Sequence, residues 1–221
     1  MTNGTGEPAD VTVVFSRTGA GGGATDNVTK TVEGLAPGAV EKGRVELGGT
    51  ASGVKVLKVR SVPSAEASRP NGPCPASGVL VSVGEGDAAT GLRVVGLHLR
   101  NCGTAAVTLN GYPELQVLDE ERKPVDGVQV VHGGARIATG TGADAPPQEF
   151  VLKPGEGAGS TLVWRNTTGA GDPVNAPYVR VRATPGAAPV TVTPELDLGT
   201  TGSLGVGAWV RDDAGTSASG R

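Results

Sequence analysis

No window of this chain carries a helical hydrophobic period through three turns without meeting a glycine or a proline, residues that weaken or break a helix interior. Glycine contributes 37 and proline 16 of the 221 residues. A helical core is thereby excluded, and the apolar residues must be buried some other way. Short apolar or alternating stretches recur between turn residues at positions 11–15, 45–47, 54–62, 79–83, 92–99, 106–109, 115–118, 128–131, 150–152, 161–164, 178–182, 190–193 and 206–210. These are strand lengths. Tyr178-Val179-Arg180-Val181-Arg182 alternates as a strand with one wet face does. Regularly spaced short strands with turn-rich connections predict an all-β, antiparallel sandwich or barrel.

The periodicity lapses between Pro63 and Pro73, where Ser64, Ala65, Glu66, Ala67, Ser68, Arg69, Pro70, Asn71 and Gly72 read as a linker. The expected organisation is a small β-rich module over residues 1–63, a linker over 64–73, a β-sandwich over 74–211 and a disordered tail over 212–221. A module of about 60 residues buries only about 60% of its unfolded surface. It is therefore expected to belong to a larger upstream unit or to pack on the second domain. One internal echo favours two sandwiches of similar type: Leu35, Pro37, Gly38, Val45 and Leu47 are spaced like Leu152, Pro154, Gly155, Leu162 and Trp164. Each set reads as a Pro-Gly turn feeding a strand.

Composition narrows the function. The formal charge of −3 arises from 22 acidic and 19 basic residues spread along the chain, without the basic footprint that nucleic acid or an anionic membrane surface attracts. No apolar run approaches the roughly 18 residues of a membrane-spanning helix. The first ten residues lack the basic and apolar regions of a signal peptide. A signal or anchor outside this sequence is expected for an exported protein, and a cytosolic protein would look the same at this end. Cys74 and Cys102 stand 28 positions apart with no histidine or cysteine at metal-ligand spacing around them. They read as a disulfide, which implies an oxidising compartment. The alternative is a pair of buried thiols.

Reactive constellations are scarce. No Gly-x-Ser-x-Gly elbow occurs, which removes α/β-type serine hydrolases. His98 sits in an alternating stretch between Leu97 and Leu99, and His132 precedes Gly133 and Gly134; neither has the setting of a general base or a metal ligand. The glycine-rich runs 19–23, 155–159 and 202–207 lack the helix that would aim amides at a phosphate, and read as turns. Asp119, Glu120, Glu121, Arg122 and Lys123 read as a charged hairpin tip rather than a calcium loop. No cofactor and no metal site is expected. The segment from His132 to Gln148, with Arg136 and Asp144 among glycine, alanine and threonine, exceeds the usual length of a structureless loop. It reads either as a flexible surface loop or as a contact loop, with His132, Arg136 and Asp144 the candidate contact residues. Tyr112, in Asn110-Gly111-Tyr112-Pro113, is expected to bury its ring and to donate its hydroxyl to a nearby carbonyl, and Trp164 to anchor the core with Leu162.

Cys74 followed by Leu80-Val81-Ser82-Val83, then Leu97 to Asn101, Leu109-Asn110-Gly111-Tyr112-Pro113, Leu152-x-Pro154-Gly155 and Leu162 to Trp164 resemble the domain of unknown function 4232 (DUF4232) family over about residues 74–211. The resemblance implies an immunoglobulin-like sandwich displayed outside the cytoplasm, as in secreted proteins and lipoproteins of actinobacteria, and implies no catalytic residue. In the family the second cysteine usually precedes the leucine of the Gly-Tyr-Pro segment, where this chain has Val107 or Thr108; here Cys102 follows Asn101 instead.

The expected function is a non-enzymatic extracellular or cell-surface module with a binding or spacer role, its partner a protein or a cell-wall polymer and not nucleic acid. The scarcity of aromatic rings disfavours sugar recognition by stacking. Alternatives are a structural repeat of a longer surface protein, and an accessory domain of a secreted hydrolase built around acids and His132.

Overall fold

A computed structural model describes residues 1–19, 21, 23–46 and 52–212, and none of them is helical. The chain folds as two compact units, Met1–Ala67 and Ser68–Arg221.

Among the described residues the first unit is a three-stranded antiparallel sheet of β1 (Ala9–Thr18), β2 (Ala24–Leu35) and β3 (Gly53–Pro63) in the order β2-β1-β3. Its core is small: Ala9, Val11 and Leu35, against which Met1, Val32 and Ala39 pack. Two buried polar side chains tie the ends of the sheet. The Asn3 amide donates to the carbonyls of Leu35 (2.7 Å) and Glu7 (2.8 Å), and the Asp10 carboxylate accepts from the Gly34 amide (2.9 Å) and the Ser64 hydroxyl (2.6 Å). The strand expected at 45–47 is not formed at Val45 and Glu46, and Leu47 lies outside the described residues. Among the described residues the internal echo thus holds for the turn and not for a strand after it. Leu35 ends β2 and Gly38 turns with φ at 69°, but among the described residues after it only Val40 bridges, to Thr2.

The second unit contains thirteen strands among the described residues. They are β4 (Val79–Ala89), β5 (Leu92–Asn101), β6 (Val107–Asn110), β7 (Glu114–Leu118), β8 (Gln129–His132), β9 (Glu149–Leu152), β10 (Gly157–Arg165), β11 (Val174–Ala176), β12 (Tyr178–Arg182), β13 (Val190–Val192), β14 (Leu196–Gly199), β15 (Ser203–Val206) and β16 (Val210–Arg211). One layer is the sheet β4-β5-β10-β15-β8, with β16 also paired to β10. Opposite it lie β13-β12-β7 and the pairs β11-β14 and β6-β9. Among the described strands every pairing is antiparallel except β15 with β8.

Alternation builds the core. Leu97 and Leu99 of β5, Leu162 and Trp164 of β10, and Leu204 and Val206 of β15 meet Val117, Val179, Val181, Val192, Leu196 and Leu198 from the facing elements. Trp164 and Trp209 are both fully buried, at 2% and 1% exposure. Their indole N–H groups are satisfied, by Asp197 Oδ1 at 2.8 Å and by the Ala183 carbonyl at 2.9 Å. The fold is therefore an all-β sandwich.

Several strands depart from the sequence expectation. β2, β11 and β14 have no counterpart among the predicted stretches, and 206–210 divides between the end of β15 and the start of β16. Gly202–Gly207, read as a turn, is largely β15; in 155–159 only Gly155, with φ at 87°, turns, and β10 begins at Gly157. Asp212, assigned to the tail, donates its amide to the Gly157 carbonyl at 3.0 Å, and residues 213–221 lie outside the described residues.

Candidate functional site

The disulfide fixes one end of the sandwich. Cys74 and Cys102 are bonded with Cα atoms 5.6 Å apart, tying the segment before β4 to the residue after β5. Asn101, fully buried beside it, donates to the carbonyls of Ala105 (2.8 Å) and Leu152 (3.0 Å) and accepts from the Gly103 amide (3.1 Å). Nothing in the sequence pattern marks this asparagine as a buried organiser. Near the disulfide, between the edge strands β4 and β13, lies a cleft of about 230 Å³ lined by Val79, Val81, Val107 and Val190, with Ser77 and Thr184 supplying hydroxyls. Among the described residues its lining has no titratable side chain.

The candidate contact residues lie elsewhere, on the segment after β8. A strand followed by two glycines reverses easily, and Gly133, at φ of 81°, makes the reversal. The chain then closes on itself: the Ile137 and Ala138 amides donate to the Gly134 carbonyl, and Asp144 Oδ1 accepts from the amides of Gly134 (2.7 Å) and Ala135 (2.8 Å). Asp144 is therefore a clamp across the base of the loop. Ala143 beside it is fully buried.

Glycines of the sheet make room for this packing. A Cβ on Gly205 would stand 2.7 Å from the Gly133 carbonyl, and one on Gly207 3.1 Å from Ala143 Cα. The loop lies flat on β15 because the chain has no side chain at those points. From the far side, Arg165 Nε donates to the Ile137 carbonyl at 3.2 Å.

The clamp places the three candidates differently. Asp144 serves the loop's own backbone, while Arg136 is exposed on the loop. His132, at the end of β8, stacks on Tyr112 with ring centroids 4.0 Å apart and planes within 6°. Tyr112 follows Gly111, whose φ of 75° makes the expected turn, and its ring packs partly against the core. The expected hydroxyl bond to a carbonyl is absent among the described residues; the exposed side of the ring is covered by His132 instead. Sequence reasoning singles out both residues without joining them, because they belong to segments with no mutual pairing.

His98 and the charged tip lie where the sequence expects them. His98 is exposed on the outer face of β5. The charged tip is an Asp119-capped turn: Asp119 Oδ1 accepts from the amides of Glu121 (2.9 Å) and Lys123 (2.8 Å). No group of three histidine, cysteine, aspartate or glutamate side chains is arranged to hold a metal ion among the described residues.

Residues 74–210 match the family described as Domain of unknown function (DUF4232). The chain belongs to this family. The match covers most of the second unit, from the first cysteine to the start of β16. No curated protein and no solved structure matches the chain.

Proposed function

We propose that this DUF4232 protein is a non-enzymatic binding module of the cell exterior, which takes a protein partner or a cell-wall polymer on the loop after β8. The observation that carries this reading is the Asp144 clamp. A long segment without regular structure that is already closed by its own backbone bonds loses little conformational entropy when a partner arrives. Rigid loops on a sheet scaffold are the usual seat of recognition. Arg136 supplies a charge at the surface of the loop, and the His132–Tyr112 stack supplies a flat ring beside it. Of the two partners a protein fits better, since a single stacked pair is a poor platform for a sugar chain. The exterior address is supported by the disulfide, which persists in oxidising compartments.

The test is site-specific photocrosslinking in whole cells of the source organism. A photoreactive residue at position 135 is expected to capture one discrete partner, and the same residue at position 175 on β11 is not. Replacing both Arg136 and His132 by alanine is expected to reduce the captured yield by about tenfold, the scale of a lost interface anchor. Equal capture from both positions, or capture indifferent to the double substitution, removes the reading.

A further inference from the structure

The first unit carries a surface that the proposed loop interaction does not use. Among the described strands β3 is an edge strand, hydrogen-bonded to β1 alone. Its exposed aliphatic residues are Val54, Val56, Leu57 and Val59, at 48%, 51%, 48% and 50% exposure. Ordinary edge strands are blunted by polar or charged side chains. β3 has both kinds of residue, sorted by face. Val54, Val56 and Val59 stand opposite Arg17, Phe15 and Val13 of β1, on the face whose far end forms the unit's core through Val11. Lys55, Lys58 and Arg60 stand opposite Ser16, Val14 and Thr12, on the other face. A register shift at Val14 and Phe15 inserts Leu57, which keeps the aliphatic residues on one side across the irregularity.

Gatekeeping accounts for the cations and leaves the half-exposed valines unexplained. We propose that β3 is a strand-addition site for an extended segment of a partner protein in which aliphatic and acidic residues alternate. An added strand extends both faces at once. Its aliphatic side chains prolong the apolar face beside Val54, Val56 and Val59, and its carboxylates come to lie on the basic face beside Lys55. Backbone pairing gives the affinity, and the sorted faces give register, since a slip by one residue would set acids against valines. A second copy of β3 fits worse: its charged side chains are all cations, and like charges on neighbouring strands repel.

The experiment uses the full chain and a capped peptide of about ten residues alternating valine and glutamate, the length of strand that β3 can pair. Binding is followed by fluorescence anisotropy of the labelled peptide and by backbone amide shifts of the protein. The expected result is saturable binding with shifts confined to β3 and its β1 neighbours. A valine-lysine peptide should bind about tenfold more weakly, and Lys55→Glu should narrow or invert that preference. Lys55 is exposed, so the substitution leaves the fold intact. The proposal is overturned by shifts on the second unit only, by equal binding of the two peptides, by no binding at millimolar peptide, or by a dimer formed through β3 that the peptide does not disturb. None of these outcomes depends on the loop after β8, so the two readings fail separately.

Discussion

Asp197 stands at the rim of the sandwich core with both oxygens occupied. Oδ1 accepts from the Trp164 indole at 2.8 Å, and Oδ2 accepts from the Asn166 amide at 2.9 Å and faces Arg93 at 3.2 Å. Partial burial pushes its pKa up, but the Trp164 and Asn166 hydrogen bonds and the Arg93 charge outweigh that push, and the carboxyl lies below its ordinary value of 3.8. The carboxylate therefore adds stability that is fully present above pH 3.8 and is lost as the pH falls through the lower, folded-state value. Asp197→Ala strands the N–H of a tryptophan that is 2% exposed. Since the aspartate itself is partly open to solvent, the expected loss is about 1–2 kcal/mol near neutral pH. Urea unfolding should show the gap between variant and parent shrinking as the pH falls below 3.8; a gap of constant size would assign the loss to packing rather than charge. Leu162 and Trp164 are legible in the sequence as core anchors because alternation alone places them. The partner of the indole is not, since no local pattern connects residues 33 apart.

At the scale of elements, the strands that sequence reveals are those whose own residues alternate or run apolar. β12 is such a strand. β2, with Asn27, Thr29 and Thr31 among its few valines, becomes a strand because β1 pairs with it along its length. β15 is hidden by its glycine, which reads as a turn locally and serves in the fold as a flat seat for the loop after β8. That same seat explains why a segment legible only as flexible or recognising is in fact closed: its order comes from Asp144 and from contacts with β10 and β15, remote in sequence. Asp144→Ala is expected to free the amides of Gly134 and Ala135. Their hydrogen exchange should quicken by about tenfold or more while β12 amides stay as protected as before, with a cost of about 1 kcal/mol in global stability. Unchanged exchange at those two amides would mean that the glycine seat alone holds the loop.

For the molecule as a whole, the distribution of aromatic residues separates the two units experimentally. Phe15 is the one aromatic residue of the first unit, whereas Tyr112, Phe150, Trp164, Tyr178 and Trp209 all belong to the second. Tryptophan fluorescence therefore reports the sandwich alone, and amide exchange in β1 to β3 reports the small sheet. The disulfide also lies wholly within the second unit. Closing a loop of 28 residues restricts the unfolded chain by roughly 3–4 kcal/mol, and the small sheet gains nothing from that restriction. Replacing Cys74 and Cys102 by serine should lower the fluorescence-detected midpoint by roughly 10 °C, with exchange in β1 to β3 unaltered under native conditions. Slowed or quickened exchange there in step with the fluorescence shift would show that the two units unfold as one, and that the small core of Ala9, Val11 and Leu35 is stable only while the sandwich is.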